Sequence, residues 1–155
     1  MPSSAAPDAI DALFQILQAA PELAGVQIID GPPIEDQSVD DQLIIGWQPG
    51  EGEAAQLQQD FAYAGARQRN EDGSIACWID CWSGDTAIRP RRRRAFEILA
   101  VVEGVLRASD TARDAPTLGG VVQWSQAAAG TLRQAASDQG ARASVGFTVT
   151  YFARI

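Results

Sequence analysis

Apolar residues recur at helical spacing over residues 8–20, where Ile10, Leu13, Phe14 and Leu17 fall on one face. Asp8 is placed to cap this predicted helix, Asp11 adds an acid to its first turn, and Pro21 ends it. Residues 1–7 are small, polar and proline-containing, which predicts a flexible tail. The apolar stretch 26–29 predicts a short strand, broken by Asp30, Gly31, Pro32 and Pro33. A second strand is predicted over 42–47 after an acidic loop, and 48–60 reads as an excursion rich in Gly and Glu. Residues 61–69 alternate, Asn70 to Gly73 have the composition of a turn, and 74–82 are rich in Ile, Cys and Trp. Together these three stretches predict a β-hairpin.

A long helix is predicted over 90–109, with Pro90 at its first position, where a missing N–H costs nothing. Ala95, Phe96, Ile98, Leu99, Val102, Val105 and Leu106 give it a wide apolar face, broadened by Val101. Such a helix is expected to be covered on more than one side. Residues 119–128 are a further strand candidate, Asp138 to Gly140 signal a turn, and 142–154 alternate cleanly, with Val145, Phe147, Val149 and Tyr151 on one side. The last two strands should pair antiparallel. Strands cluster in hairpins instead of alternating with helices. The expected fold is therefore α+β: a mixed, mostly antiparallel sheet with two helices packed on one face. With 155 residues and no internal linker, the chain is expected to form a single domain, 1–155.

Composition narrows the chemistry. The chain has no histidine, and all twelve of its basic residues are arginine. This removes the commonest general base and metal ligand, and also lysine-dependent P-loop and Schiff-base chemistry. Nucleotide-binding loops, a nucleophile elbow and metal-ligand spacings are not found. Cys77 and Cys81 share a strand face about 13 Å apart, too far for a disulfide, so free buried thiols are expected. The residues predict no enzyme, no cofactor and no metal site. No apolar run approaches the roughly 18 residues of a membrane span, and no leader pattern is visible, so a cytoplasmic protein is expected.

Charge is unevenly distributed. Residues 1–60 hold eleven acids and no base; residues 61–155 hold twelve arginines and nine acids, giving −11 and +3. The two halves either form oppositely charged surfaces, which favour head-to-tail association, or interleave so that their charges mix. The sharpest local feature is Arg89, Arg91, Arg92, Arg93 and Arg94 around Pro90. Five cations at a helix N-terminus oppose the macrodipole, so an anion should compensate. The candidates are an acidic loop of the same or a neighbouring subunit, nucleic-acid phosphate, or solvent alone. Trp78 and Trp82 share a strand face with Asp80, which suggests an interfacial face. The acid pairs Asp40/Asp41 and Glu51/Glu53 could serve as acid and base of a hydrolase, a remote option, because they sit in polar loops where plain solvation is the ordinary outcome.

The layout resembles that of the tail terminator proteins of long-tailed bacteriophages and the related minor tail and head-tail joining proteins. The resemblance rests on an N-terminal helix ending near LQAAPELAGVQIIDGPP, the strand DQLIIGW, the Trp-rich strand SIACWIDCWSGD, the helix RRRRAFEILAVVEGVLRA and the closing strand ARASVGFTVTYFARI. It implies a small α/β subunit that assembles as a hexameric ring, caps the tail tube, ends its polymerisation and offers a surface to the head connector. DNA would pass through the lumen without specific binding, and no membrane is involved. The place of action would be the virion tail, after assembly in the host cytoplasm. On this resemblance, Arg91, Arg92, Arg93, Arg94, Trp78 and Trp82 are candidates for the subunit interface. Asp40, Asp41, Glu51 and Glu53 are candidates for the lumen or for acidic partners of the arginines. The alternative is a small nucleic-acid- or ligand-binding module that uses the arginines from Arg89 to Arg94.

Overall fold

A computed structural model describes residues 2–33, 40–50, 52–65, 67–108 and 113–155. Helix α1 (Ala6–Ala19) is followed by strands β1 (Gln27–Asp30), β2 (Asp41–Ile45), β3 (Ala55–Phe61) and β4 (Arg69–Ser83). Helix α2 (Ile88–Val105) leads to β5 (Trp124–Ser137) and β6 (Gly140–Arg154). The sheet runs β1-β2-β4-β6-β5, and β3 joins the same edge of β4 as β2 does. Among the described residues, β1 and β2 form the one parallel pair. Ala9, Leu13 and Leu17 of α1 and Ala95, Ile98, Leu99 and Val102 of α2 share one core with Ile79, Val145, Phe147 and Val149 of the sheet. Both helices thus lie on one face, and the α+β architecture is as expected.

Several elements depart from the sequence reading. Asn70 to Gly73 are strand, not turn: they pair with β3 on one side and β6 on the other. The hairpin turn falls between Phe61 and Arg69, and the supposed excursion contains β3. β5 begins later and runs nine residues beyond the predicted end at 128. Pro90 sits in the third helical position, because α2 starts at Ile88. Pro90 is still within the first turn, so its missing N–H breaks no helical bond.

The predicted loose tail is tied down. The hydroxyl of Ser4 and the backbone N–H of Ala5 both donate to Oε1 of Glu71, at 3.0 and 3.1 Å. The Tyr151 hydroxyl donates to the same oxygen at 2.7 Å, and Gln59 donates to Oε2. Ala5 is the N-cap of α1 and brings no side-chain cap of its own. A carboxylate from β4 therefore completes the helix N-terminus, where negative charge is favoured. Glu71 is fully buried. Burial pushes its pKa up, but hydrogen bonds from Tyr151, Gln59, Ser4 and Ala5 outweigh it and hold the group below its ordinary value.

Two glycines let aromatic rings cross the central ladder. Tyr151 lies over its cross-strand partner Gly73 on the helix side, and Trp78 lies over Gly146 on the other. A Cβ on Gly73 would meet Tyr151 Cζ at 2.1 Å; on Gly146 it would meet Trp78 Cζ3 at 3.1 Å. Gly73→Ala should therefore cost about 1–3 kcal/mol as Tyr151 is displaced. Gly25→Ala, with open space around the new methyl, should be neutral or slightly stabilising. Urea midpoints at constant slope report both effects.

A depressed folded pKa means that the Glu71 contribution is complete above the ordinary glutamate range and is lost as pH falls through the folded value. Tyr151→Phe removes one donor to this charge and should cost about 1.5–3 kcal/mol at pH 7. The stability gap between wild type and Tyr151→Phe should narrow as pH is lowered toward 3. A gap independent of pH would mean that Glu71 is not the acceptor that matters.

Candidate functional site

The first two turns of α2 carry the arginine run, and Asp85 prepares the helix start. Oδ1 of Asp85 accepts from the N–H of Ala87, the N-cap, at 2.9 Å, and the Ser83 hydroxyl donates to its Oδ2. These bonds, the Ala87 one foremost, together with nearby Arg91, hold the Asp85 pKa below its ordinary value. An anion thus stands at the helix start, as the macrodipole requires.

The arginines divide by direction. Arg94 turns inward and bonds Oδ2 of Asp41 through Nε at 2.9 Å, with Glu97 a turn on at 3.6 Å. The Asp41 bond is the leading reason why the Arg94 pKa is raised. Arg92 reaches β5, where Nη1 donates to Oε1 of Gln134 at 2.8 Å. Arg89 and Arg93 are exposed. Of the possible compensators, an acid of the same chain takes Arg94, and the outer arginines face solvent. Asp41 is the one acidic candidate found beside the cluster. Asp40 and Glu53 are exposed, and Glu51 lies outside the described residues.

The helix-free face of the sheet is built around β4. Trp78, Asp80 and Trp82 share that face as expected, but Trp78 is only 8 % exposed, whereas Trp82 is half-buried. Residues after β2 fold back across the face: Gln48 Nε2 donates to the carbonyls of Cys77 and Phe147 at 3.1 and 3.0 Å. Arg133 of β5 lies over the Trp78 ring, with Cζ 5.6 Å from its centroid. Asp80 is buried and fully engaged: Ser144 donates to Oδ1 at 2.8 Å, and Arg142 approaches Oδ2 at 3.5 Å. The interfacial role sketched for Trp78 is thus largely occupied within the chain. Trp82 keeps some free surface.

Cys77 and Cys81 are free and point into the core from the other face of β4. Burial pushes the Cys77 thiol up to about 12. Burial, followed by the Asp41 charge, raises that of Cys81 as well, so both stay protonated. No group of three or more His, Cys, Asp or Glu stands together to hold a metal among the described residues.

The surface that the sequence reading did not single out is β5. Every residue from 128 to 139 is exposed, although the sheet face next to β5 is packed by α2. Leu132 (37 % exposed), Phe96 (43 %) and Trp124 (44 %) leave apolar surface open along it. The free thiol pair and the Trp-rich strand drew attention to β4, yet β5, two strands away, is open along most of its length, and the most exposed apolar side chains, Phe61 and Tyr63, stand at the end of β3. No known protein family matches the chain, and no curated protein sequence matches it either.

Arg94→Ala should strand Asp41 in a largely enclosed position and cost about 1–3 kcal/mol. Arg93→Ala, at an exposed position of the same turn, should stay within about 0.5 kcal/mol of wild type. Equal losses in a chemical denaturation series would remove the distinction between inner and outer arginines.

Proposed function

We propose that this protein is a structural assembly subunit, a tail terminator or closely related tail-completion protein of a long-tailed bacteriophage, and that it acts by ring assembly. The observation that carries the reading is β5, an edge strand whose residues from 128 to its end at Ser137 are exposed throughout and whose outer backbone edge pairs with nothing in the described chain. An exposed edge of this length is a template for further pairing, and proteins that keep one ordinarily cover it. β5 lacks the proline and lysine that blunt natural edges, and its one charge is Arg133. Closed cyclic assembly covers such an edge in every copy.

In this reading the ring is a hexamer that sits on the tail tube and stops its growth. One ring face meets the tube protein and the other meets the head-tail connector protein. DNA passes through the lumen without specific contacts, and the exposed acids Asp40 and Glu53 are suited to a lumen wall that repels phosphate. The work is mechanical and needs no catalytic step, no cofactor and no membrane. Assembly would occur in the host cytoplasm and the finished ring would stay in the virion. The second reading, a nucleic-acid- or ligand-binding module, draws on exposed Arg89 and Arg93.

Sedimentation and negative-stain imaging of the purified chain separate the two. Rings of uniform size, and shorter tubes when the protein is added to polymerising tail-tube subunits, are the expected result. A monomer at all concentrations that binds duplex DNA with a steep salt dependence would replace the ring reading with the second one.

A further inference from the structure

Apart from the Arg94–Asp41 pair, the fold keeps much of the two charge halves of the sequence on opposite sides of β4. All elements built from the first 61 residues, α1, β1, β2 and β3, lie to one side of β4. β6 and β5 lie to the other side, and α2 packs over them and β4. The first side holds no base before Arg67, and its acids Asp8, Asp11, Glu22 and Asp30 are exposed. The far side presents Arg89, Arg92, Arg93 and Arg133. The Arg92–Gln134 hydrogen bond ties the N-terminal part of α2 to β5, so Arg92, with Arg133 on β5 itself, stands at the open edge strand. β1 and β5 are the two terminal strands of the sheet path.

We infer that the partner of the β5 edge is a second copy of this chain, which seats its acidic α1–β1 edge against β5 and the arginine-bearing turn of α2. This rests on the ring reading and deepens it by naming the two surfaces that join. The contact is heterologous: each copy offers one basic and one acidic edge, so copies add head to tail until the ring closes. Charges of opposite sign steer the two edges together and fix the order of docking. Like edges repel, so a two-fold dimer through β5 is disfavoured. Leu132 and Phe96 supply apolar surface for the centre of the contact, and the arginines supply its rim.

A charge-swap pair tests this. In the first variant, Arg89→Glu, Arg92→Glu, Arg93→Glu and Arg133→Glu together make the β5 edge acidic. In the second, Asp8→Arg, Asp11→Arg, Glu22→Arg and Asp30→Arg together make the α1–β1 edge basic. All of these side chains are exposed except that of Arg92, which is half-buried, and circular dichroism with a thermal melt confirms that each variant is folded. Each variant alone should sediment as the single chain, because both its edges now carry one sign. Mixed in equal amounts, the two should restore the wild-type ring mass, because each altered edge again meets its opposite. If the wild type forms rings and either folded variant alone still does so, the edges are wrongly assigned and the ring reading stands. If the variants dissociate and mixing does not restore the ring, the head-to-tail pairing of these edges fails. If the wild type forms no ring, the ring reading falls and this inference falls with it.

Discussion

The antiparallel ladder between β4 and β6 holds the rest of the molecule in place. It pairs Asn70 with Arg154 at one end and Ser83 with Ala141 at the other without a break in register. β2 and β3 share the far edge of β4, and β5 lies on the far edge of β6. Because side chains alternate across a strand, this one register decides which residues face the helices and which face away. Cys77, Ile79, Cys81, Val145, Phe147 and Val149 enter the core; Trp78, Asp80, Arg142 and Ser144 take the other side. A slip of one residue would exchange the two sets.

The ladder is locked by two buried carboxylates, one on each face. Glu71 faces the helices and is satisfied by Tyr151 of β6, Gln59 of β3 and the chain entering α1. Asp80 faces away and is satisfied by Ser144 and Arg142 of β6. Each charge is acceptable in its place only because its partners arrive in register, and an unpaired buried carboxylate costs several kcal/mol (roughly). Polar groups of this kind specify the alignment more than they add stability. Glycine works alongside them. Gly73 and Gly146 leave the gaps into which Tyr151 and Trp78 lie, so the ribbon gains aromatic packing without steric conflict.

These facts also explain what could be read in advance. Helices, the closing hairpin turn at Asp138 and Gln139, and the alternation of β6 were legible, because each depends on local periodicity or turn chemistry. Glu71 was not. Asn70, Glu71, Asp72 and Gly73 have turn composition, and the donors that make Glu71 a buried acceptor lie far away in sequence, at Ser4, Ala5 and Tyr151. Tertiary context overrode local propensity there. β5 was underestimated for the opposite reason. Ala127, Ala128, Ala129 and Gly130 carry little strand signal, and the strand persists because β6 offers it partners on both sides of an irregularity at Gly130. Among the candidate residues, the arginine run was visible, but its division into an inner Arg94 and outer Arg89 and Arg93 depends on where Asp41 stands.

That division bears on why the cluster exists at all. Cations at a helix N-terminus are locally unfavourable, and the chain answers with Asp85 before the helix and Asp41 beneath it. Within one chain, Arg94 meets Asp41, Arg92 meets Gln134 and Arg91 stands near Asp85. Arg89 and Arg93 remain at the surface beside a strand that is itself uncovered, and the compensating excess of acid lies at the opposite end of the same sheet. A single chain leaves this imbalance standing at both ends. In the proposed head-to-tail assembly, each copy would bring its acidic end to the basic end of the next. The same contact would cover the open edge of β5, so one interface would answer both the electrostatic and the hydrogen-bonding demands of the isolated subunit.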